Sequence, residues 1–199
     1  STQKGVIGQL PIKKELENLF SNLGVKNTDH VVISYLGVNS LDFGSAARLY
    51  WSLKTAGHDN VSILNGGLKA WKQEGYQLAT GEHQINPSQF KVTFNDKYVA
   101  SYKDVRDAKR KRNNLALIDA RPKAFFVGEK KHPKISRAGT IPTAVNLEEG
   151  SIVTANTKVK SADEIKALFV KLNPQGKDGY ISFCNTGWFA STVWFALSE

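Results

Sequence analysis

Cys184 is the only cysteine among the 199 residues of this chain, and it lies where a thiol can be reactive. The aromatic and β-branched run 180–183 before it predicts a buried strand, and apolar spacing after it predicts a helix over 190–197. A thiol between the carboxyl end of a strand and the start of a helix faces loop amides and the positive end of the helix dipole. That setting favours a thiolate nucleophile, and it would equally hold an anionic persulfide formed on the sulfur.

The competing interpretation of Cys184 is a small buried hydrophobe, because unpaired cysteines are often found in protein cores. Small and polar residues follow Cys184, and Gly187 allows the loop to bend tightly. The position of the thiol therefore favours the catalytic interpretation.

The composition excludes several classes of protein. One cysteine rules out an intramolecular disulfide framework and a cysteine-rich zinc site, and the four scattered histidines give no reason to expect a metal or another cofactor. No apolar run approaches the length of a membrane span. The net charge of +9 fits either a small anionic substrate or nucleic acid. The densest basic cluster, 109–112, is short and lacks interleaved aromatics, so we expect a solvated helix end and no nucleic-acid partner.

Strand and helix patterns alternate along the chain, which predicts an α/β fold with parallel sheets flanked by helices. The predicted helices are 11–24, 45–56, 68–74, 101–112, 161–172 and 190–197. The predicted strands are 30–35, 61–64, 115–118 and 180–183, with a short strand in 139–146 and a possible one at 90–94. Ser161 and Glu164 form the pattern of a capping box at the start of the fifth helix.

An internal repeat divides the chain. Strand 30–35 and helix 46–53 can be laid on strand 180–183 and helix 190–197, so that Leu36 takes the position of Cys184. The first copy therefore cannot perform thiol chemistry. We predict a silent domain over residues 1–81, a linker over 82–95 and a catalytic domain over 96–199.

The run Phe-Cys-Asn-Thr-Gly-x-x-Ala-Ser-Thr-x-Trp-Phe, which begins at Phe183, resembles the active-site loop of the rhodanese (thiosulfate sulfurtransferase) family. The segments 45–51, 65–71, 117–121 and 139–144 resemble other motifs of that family, so the resemblance spans nearly the whole chain. It implies tandem rhodanese-like domains, one silent and one active. Both domains look incomplete beside the family pattern, and we expect a truncated or processed chain.

The resemblance also implies a mechanism in which Cys184 attacks the outer sulfur of a donor such as thiosulfate and carries it as a persulfide to cyanide or a thiol. Loop amides would stabilise the anionic sulfur, and Arg121 could contact the donor or form a structural ion pair with Asp119. Trp188 and Phe189 would wall the pocket or simply pack in the core. The substrate-binding residues implied in this way are Asn185, Thr186, Gly187, Trp188, Phe189, Ala190 and Arg121.

Departures from the family pattern leave the donor open. Some thiosulfate-using loops have a lysine where Thr186 stands, and some members have a basic residue where Phe125 stands. Uncharged Asn185 and Thr186 favour 3-mercaptopyruvate as the alternative donor, and a non-catalytic sulfur-binding module is the third hypothesis. A phosphatase is disfavoured because Ala190 stands where such loops need arginine. The loop resembles those of bacterial, often exported, members, which places the periplasm slightly ahead of the cytoplasm.

Overall fold

Parallel strand pairing organises both halves of the chain. A computed structural model describes residues 2–3, 6–172 and 176–199. The first half contains β1 (Thr2–Gln3), β2 (Val6–Ile7), α1 (Lys13–Asn22), β3 (Val31–Ile33), α2 (Ser40–Thr55), β4 (Val61–Ile63) and α3 (Gly67–Gln73). The second contains a 3₁₀ turn (Asp96–Tyr98), α4 (Tyr102–Lys109), β5 (Leu115–Asp119), α5 (Lys123–Phe126), β6 (Val145–Asn146), a 3₁₀ turn (Glu149–Ile152), α6 (Ala162–Leu172), β7 (Gly179–Phe183) and α7 (Trp188–Ser198).

The strands β3 and β4 pair in parallel in the first half, and β5 lies between β6 and β7 in a parallel sheet in the second. The short strands β1 and β2 form an antiparallel hairpin. The predicted α/β architecture with parallel sheets and flanking helices is therefore confirmed. Within the described ranges, no helix is both long and apolar enough to span a bilayer.

Helices α2 and α7 begin two or more residues earlier than the sequence predicted, and in each case the residue before the helix explains the difference. Helix α2 begins at Ser40 instead of 45 because the Asn39 side chain accepts hydrogen bonds from the amides of Leu41 and Asp42. Helix α7 begins at Trp188 instead of 190 because Gly187, at φ +89°, ends the loop one residue before it. The short helix α5 was not among the helices predicted from the sequence.

The capping box at α6 is confirmed, since Glu164 accepts from the Ser161 amide at 2.9 Å and Ser161 Oγ accepts from the Glu164 amide at 3.3 Å.

The prediction of a strand at 90–94 is wrong. That stretch is extended, but its amides bond to the ends of helices and to side chains, as in Thr93 N to Ala56 O at 3.0 Å, and to no strand. Phe90 and Val92 are 1% exposed in the core of the first half, so the end of the proposed linker packs as part of that half.

Helices α2 and α7 pack against each other and join the two halves. Phe195 of α7 stacks edge-on against Phe43 and Tyr50 of α2, with ring centroids 5.5 Å and 5.0 Å apart. Gly44 allows close approach, because a Cβ there would lie 3.3 Å from Thr192 Oγ1. The first-half core therefore extends onto α7, which fixes α7 and the loop before it relative to α2.

Glu149 is a buried acid at the junction between the halves. It is 8% exposed, it accepts from Ser40 Oγ at 3.1 Å, and its Oε2 has no partner within the described residues. Burial raises its pKa above the ordinary value of 4.5, and the neighbouring charge of Glu148 adds to this effect. The folded state therefore favours the protonated acid, and this contribution to stability is present below pH 4.5 and is lost as the pH rises through the folded pKa.

We expect Glu149→Gln to raise the melting temperature at about pH 7 and to give no gain at about pH 4, where the acid is already neutral. Thermal unfolding followed by circular dichroism at the two pH values measures this. Glu129→Gln is the matched control, since Glu129 is exposed, does not contribute to the raised pKa of Glu149 and should show no such dependence. An equal gain for Glu149→Gln at both pH values would contradict the assignment.

Candidate active site

Cys184 lies directly after β7, in the loop that leads into α7. It is a partly buried free thiol, and the Gly187 amide donates a hydrogen bond to its Sγ at 3.0 Å. The amide comes from the residue that caps α7, so the sulfur lies at the positive end of that helix. This arrangement stabilises negative charge on the sulfur and confirms the predicted placement of the thiol between strand and helix.

Local hydrogen bonds hold the loop in this shape. Ser182 Oγ in the strand donates to the carbonyl oxygen of Ala190 in the helix at 2.8 Å, which ties the two elements together across the loop. Gly187 has φ +89°, a left-handed conformation that glycine adopts without the strain of a side chain. The loop is therefore short and fixed, and Gly187 is the residue that makes its turn possible.

Arg121 lies beside this loop but is bound to Asp119. Its Nε and Nη2 donate to the two carboxylate oxygens at 2.9 Å and 2.6 Å, and Asp119 is fully buried. Asp119 raises the pKa of Arg121, against the opposing effect of burial. Arg121 Nη1 also reaches Asn185 Oδ1 at 3.3 Å, so the pair orients the first residue after Cys184. Of the two predicted roles for Arg121, the structure contains the ion pair.

The remaining predicted site residues divide into two groups. Asn185, Thr186, Gly187 and Ala190 line the cavity beside Cys184. Trp188 and Phe189 belong to the first turn of α7 and are not among the residues that line the cavity, so of the two predicted alternatives Phe189 follows core packing. Trp188 is 47% exposed, and Phe189 packs against the core of the second half. The helix that begins at Trp188 turns both side chains away from the thiol.

The first half contributes residues that sequence reasoning missed. Arg48 of α2 lines the same cavity, and its Nη2 donates to the Gly8 carbonyl oxygen at 2.7 Å. Its Nη1 lies so close to Gly187 that a Cβ there would collide with it, and a Cβ on Gly8 would collide with the Thr186 carbonyl. Burial lowers the pKa of Arg48, and the nearby Cys184 opposes this effect. Only the packing of α2 on α7 brings these residues together, and no local pattern signals it.

We expect Gly187→Ala to destabilise the fold by about 1–2 kcal/mol through the left-handed backbone, with a further cost from displacing Arg48. Alkylation of Cys184 by iodoacetamide should also slow by about tenfold, because the Cβ that collides with Arg48 shifts the loop and moves the backbone amide of residue 187 away from the sulfur. Gly75→Ala is the matched control, because Gly75 has φ +82° and open space around it. Urea denaturation of both variants measures the loss of stability, and their alkylation rates measure the loss of thiol reactivity. An unchanged alkylation rate in Gly187→Ala would contradict the prediction that the turn at Gly187 sets the reactivity of the thiol.

In the described ranges, no group of three or more His, Cys, Asp and Glu side chains is arranged to hold a metal ion.

Comparison with known proteins identifies this arrangement. Residues 101–199 match the family model described as a rhodanese-like domain. The chain is 35% identical over 196 residues to a putative thiosulfate sulfurtransferase of Haloferax volcanii, covering 94% of the chain and 65% of that protein. It is 30% identical over 194 residues to the sulfur carrier protein TtuD of Thermus thermophilus, covering 93% of the chain and 67% of that protein. The chain thus spans about two thirds of the length of these curated relatives.

Among solved structures, the chain resembles the Escherichia coli 3-mercaptopyruvate sulfotransferase SseA with a TM-score of 0.85 and 30% sequence identity. The match covers 99% of this chain and 72% of that one. The likeness therefore includes both halves of the chain, whereas the family model matches the second half alone.

Proposed function

Since the chain belongs to the rhodanese family, we propose that it is a sulfurtransferase that carries sulfur as a persulfide on Cys184. The observation that carries the proposal is the hydrogen bond from the Gly187 amide to Cys184 Sγ at the start of α7. A sulfur that is held as an anion in this way can attack a donor, and it can leave again when an acceptor attacks.

In the first step, with thiosulfate as the proposed donor, the Cys184 thiolate attacks the outer sulfur. A bond forms between the two sulfurs, the bond from the outer sulfur to the sulfonate sulfur breaks, and sulfite leaves with the electron pair. The product on the protein is the persulfide anion, so charge and atoms balance. The amide of Gly187 and the helix dipole of α7 stabilise the negative charge as it moves to the terminal sulfur.

In the second step, a cyanide or thiolate acceptor attacks the terminal sulfur and takes it away. With cyanide, a carbon–sulfur bond forms, the sulfur–sulfur bond breaks, thiocyanate leaves and the Cys184 thiolate returns. Asn185, Thr186 and Ala190 line the cavity that the acceptor must enter, and Gly187 lines it next to the sulfur. Arg121 acts as a positioning residue for Asn185, because its guanidinium is occupied by Asp119.

A second candidate donor is 3-mercaptopyruvate, which the uncharged Asn185 and Thr186 favour. The same thiolate would then take the sulfur, and pyruvate would leave with the thiol proton on its methyl carbon. The relatives support both donors by name, one as a putative thiosulfate sulfurtransferase and the other as a 3-mercaptopyruvate sulfotransferase. A third candidate is a carrier that accepts sulfur without rapid turnover, which is consistent with a relative named as a sulfur carrier protein.

We also propose that residues 1–81 and 96–199 are homologous halves, the first of which is silent. The repeat lays Tyr50 of α2 on Trp194 of α7, and these two rings contact each other with centroids 6.2 Å apart. Equivalent residues that touch across an interface are what a two-fold relation between the halves produces. Leu36, which takes the position of Cys184 in the repeat, is 62% exposed and precedes the start of α2 by four residues, as Cys184 precedes the start of α7.

Thiocyanate production measures the proposed activity. The protein is incubated with cyanide and either thiosulfate or 3-mercaptopyruvate, and its intact mass is recorded after exposure to each donor alone. Turnover with one donor chooses between the two enzymes. A mass gain of one sulfur atom without turnover indicates a carrier. The absence of both turnover and a mass gain would refute the proposal that the protein is a sulfurtransferase.

A further inference from the structure

We infer that Arg48, which belongs to the silent half, supplies the positive charge that holds anionic sulfur species beside Cys184. The inference deepens the proposed function and rests on it for the identity of the anion. It begins from the contrast between two arginines, Arg48 and Arg121, that reach the Cys184 loop from opposite halves of the chain.

Arg121 has little charge to offer an incoming anion. Its guanidinium makes a two-pronged ion pair with the fully buried carboxylate of Asp119, and Nη2 also donates to the Gly139 carbonyl oxygen at 2.8 Å. The carboxylate compensates the guanidinium at close range, so the pair as a whole is neutral. An anion beside Cys184 gains little from this pair.

Arg48 is partly buried and is not compensated in this way. No carboxylate lies within ion-pairing distance of it in the part of the chain that the structure describes. Its neighbours are the carbonyl oxygen of Gly8 and the ring of Trp51, whose centroid lies 4.4 Å from the guanidinium carbon. These contacts fix the direction of the side chain but leave its positive charge unpaired, which is costly unless an anion binds nearby.

The position of this charge points to the sulfur. The Nη1 of Arg48 is packed on Gly187, whose amide donates to Cys184 Sγ at 3.0 Å. Arg48 also lines the cavity into which the sulfur opens. A doubly charged donor or a persulfide anion in that cavity would therefore lie beside an unpaired guanidinium, whose fork-shaped set of donors matches a sulfonate or a carboxylate.

The repeat makes this assignment more specific. With Ala46 laid on Ala190, Arg48 falls on Thr192, so the active half has no arginine at this position of its own helix. In the silent half, Leu36 stands at the position of the thiol, but this half carries the cation that the active half lacks. The halves are thus complementary, and the packing of α2 on α7 brings the thiol of one to the charge of the other.

Alkylation of Cys184 tests the inference without any sulfur donor. Rate constants are measured for iodoacetate, which is an anion, and for iodoacetamide, which is neutral, and their ratio cancels changes in the reactivity of the thiol itself. We expect the iodoacetate to iodoacetamide ratio to fall by about tenfold in Arg48→Met, as loss of a nearby unit charge implies, and to recover in part in Arg48→Lys. Arg137→Met, which removes an exposed arginine, should leave the ratio unchanged.

A ratio that stays within about twofold of wild type in Arg48→Met overturns the inference, because a nearby unpaired charge must act more strongly than that. If that variant does not fold, Arg48→Gln, which can still donate to Gly8, replaces it in the comparison. In the wild-type protein the ratio should also fall as salt is added, and a salt-independent ratio overturns the inference as well. If Arg48→Met lowers the iodoacetate to iodoacetamide ratio as expected but the wild-type protein transfers no sulfur, the proposed function is refuted. The inference that Arg48 holds an anion beside Cys184 then still stands.

Discussion

Replacing Cys184 with serine should reduce thiocyanate production to background, a loss of at least ~10³-fold, because the oxygen cannot accept and release sulfur as a thiolate does. The substitution is almost isosteric, so the loop should keep its shape and the Gly187 amide should keep a hydrogen-bond acceptor. Thiocyanate formation with each donor, together with the intact mass after exposure to the donor, measures the effect. The mass gain of one sulfur atom seen in the wild type should disappear.

A matched variant tests whether the setting of the thiol matters as well as its presence. Leu36→Cys in the Cys184→Ser background places a thiol at the equivalent position of the silent half, where the side chain is 62% exposed. That thiol should be readily alkylated but should not transfer sulfur, because the amides of Val38, Leu41 and Asp42 at the start of α2 already bond to the side chains of Asp42 and Asn39. Transfer that persists in Cys184→Ser alone would refute Cys184 as the sulfur carrier, and transfer restored by Leu36→Cys would refute the role of the loop.

The parts of the fold that the sequence predicts are those fixed by local pattern. Strand 180–183 and helix 161–172 are predicted almost to the residue, because an apolar run and a capping box are read from neighbours along the chain. The start of α2 at Ser40 was missed, although Asn39 is a strong local cap, because the first apolar repeat begins later. The stretch 90–94 alternates apolar and polar residues as a strand does, but sheet formation requires a partner strand, which local sequence does not reveal.

The residues of the candidate site also divide into those that local sequence reveals and those that it does not. Cys184 and Gly187 are recognisable from sequence because a thiol, a glycine and a helix start follow each other within a few residues. The two alternatives for Trp188 and Phe189 could not be decided from sequence, because successive residues of a helix point about a quarter of a turn apart and only the exact start of the helix decides where they point. Arg48 could not be predicted, since its nearness to Gly187 exists only after the two halves pack.

Removing the carboxylate of Asp119 should destabilise the protein by about 3–5 kcal/mol, because Asp119→Ala leaves the guanidinium of Arg121 buried without its counter-charge. Asp119 is 0% and Arg121 7% exposed, so water cannot replace the lost partner without opening the structure. The two carboxylate oxygens also accept from the Arg121 amide and from Thr140 Oγ1, which lose their acceptor too. Urea denaturation at pH 7 measures the loss as a shift in the midpoint at constant slope.

The double variant Asp119→Ala/Arg121→Met separates the buried charge from the other consequences. If the unpaired guanidinium causes most of the loss, the double variant should be more stable than Asp119→Ala alone, since no charge is left buried. Only the double variant removes the bond from Arg121 Nη1 to Asn185 Oδ1, so sulfur transfer should be slower in the double variant than in Asp119→Ala. A loss of less than about 1 kcal/mol in Asp119→Ala would mean that solvent reaches the pair, which then behaves as an ordinary surface ion pair and cannot fix the Cys184 loop.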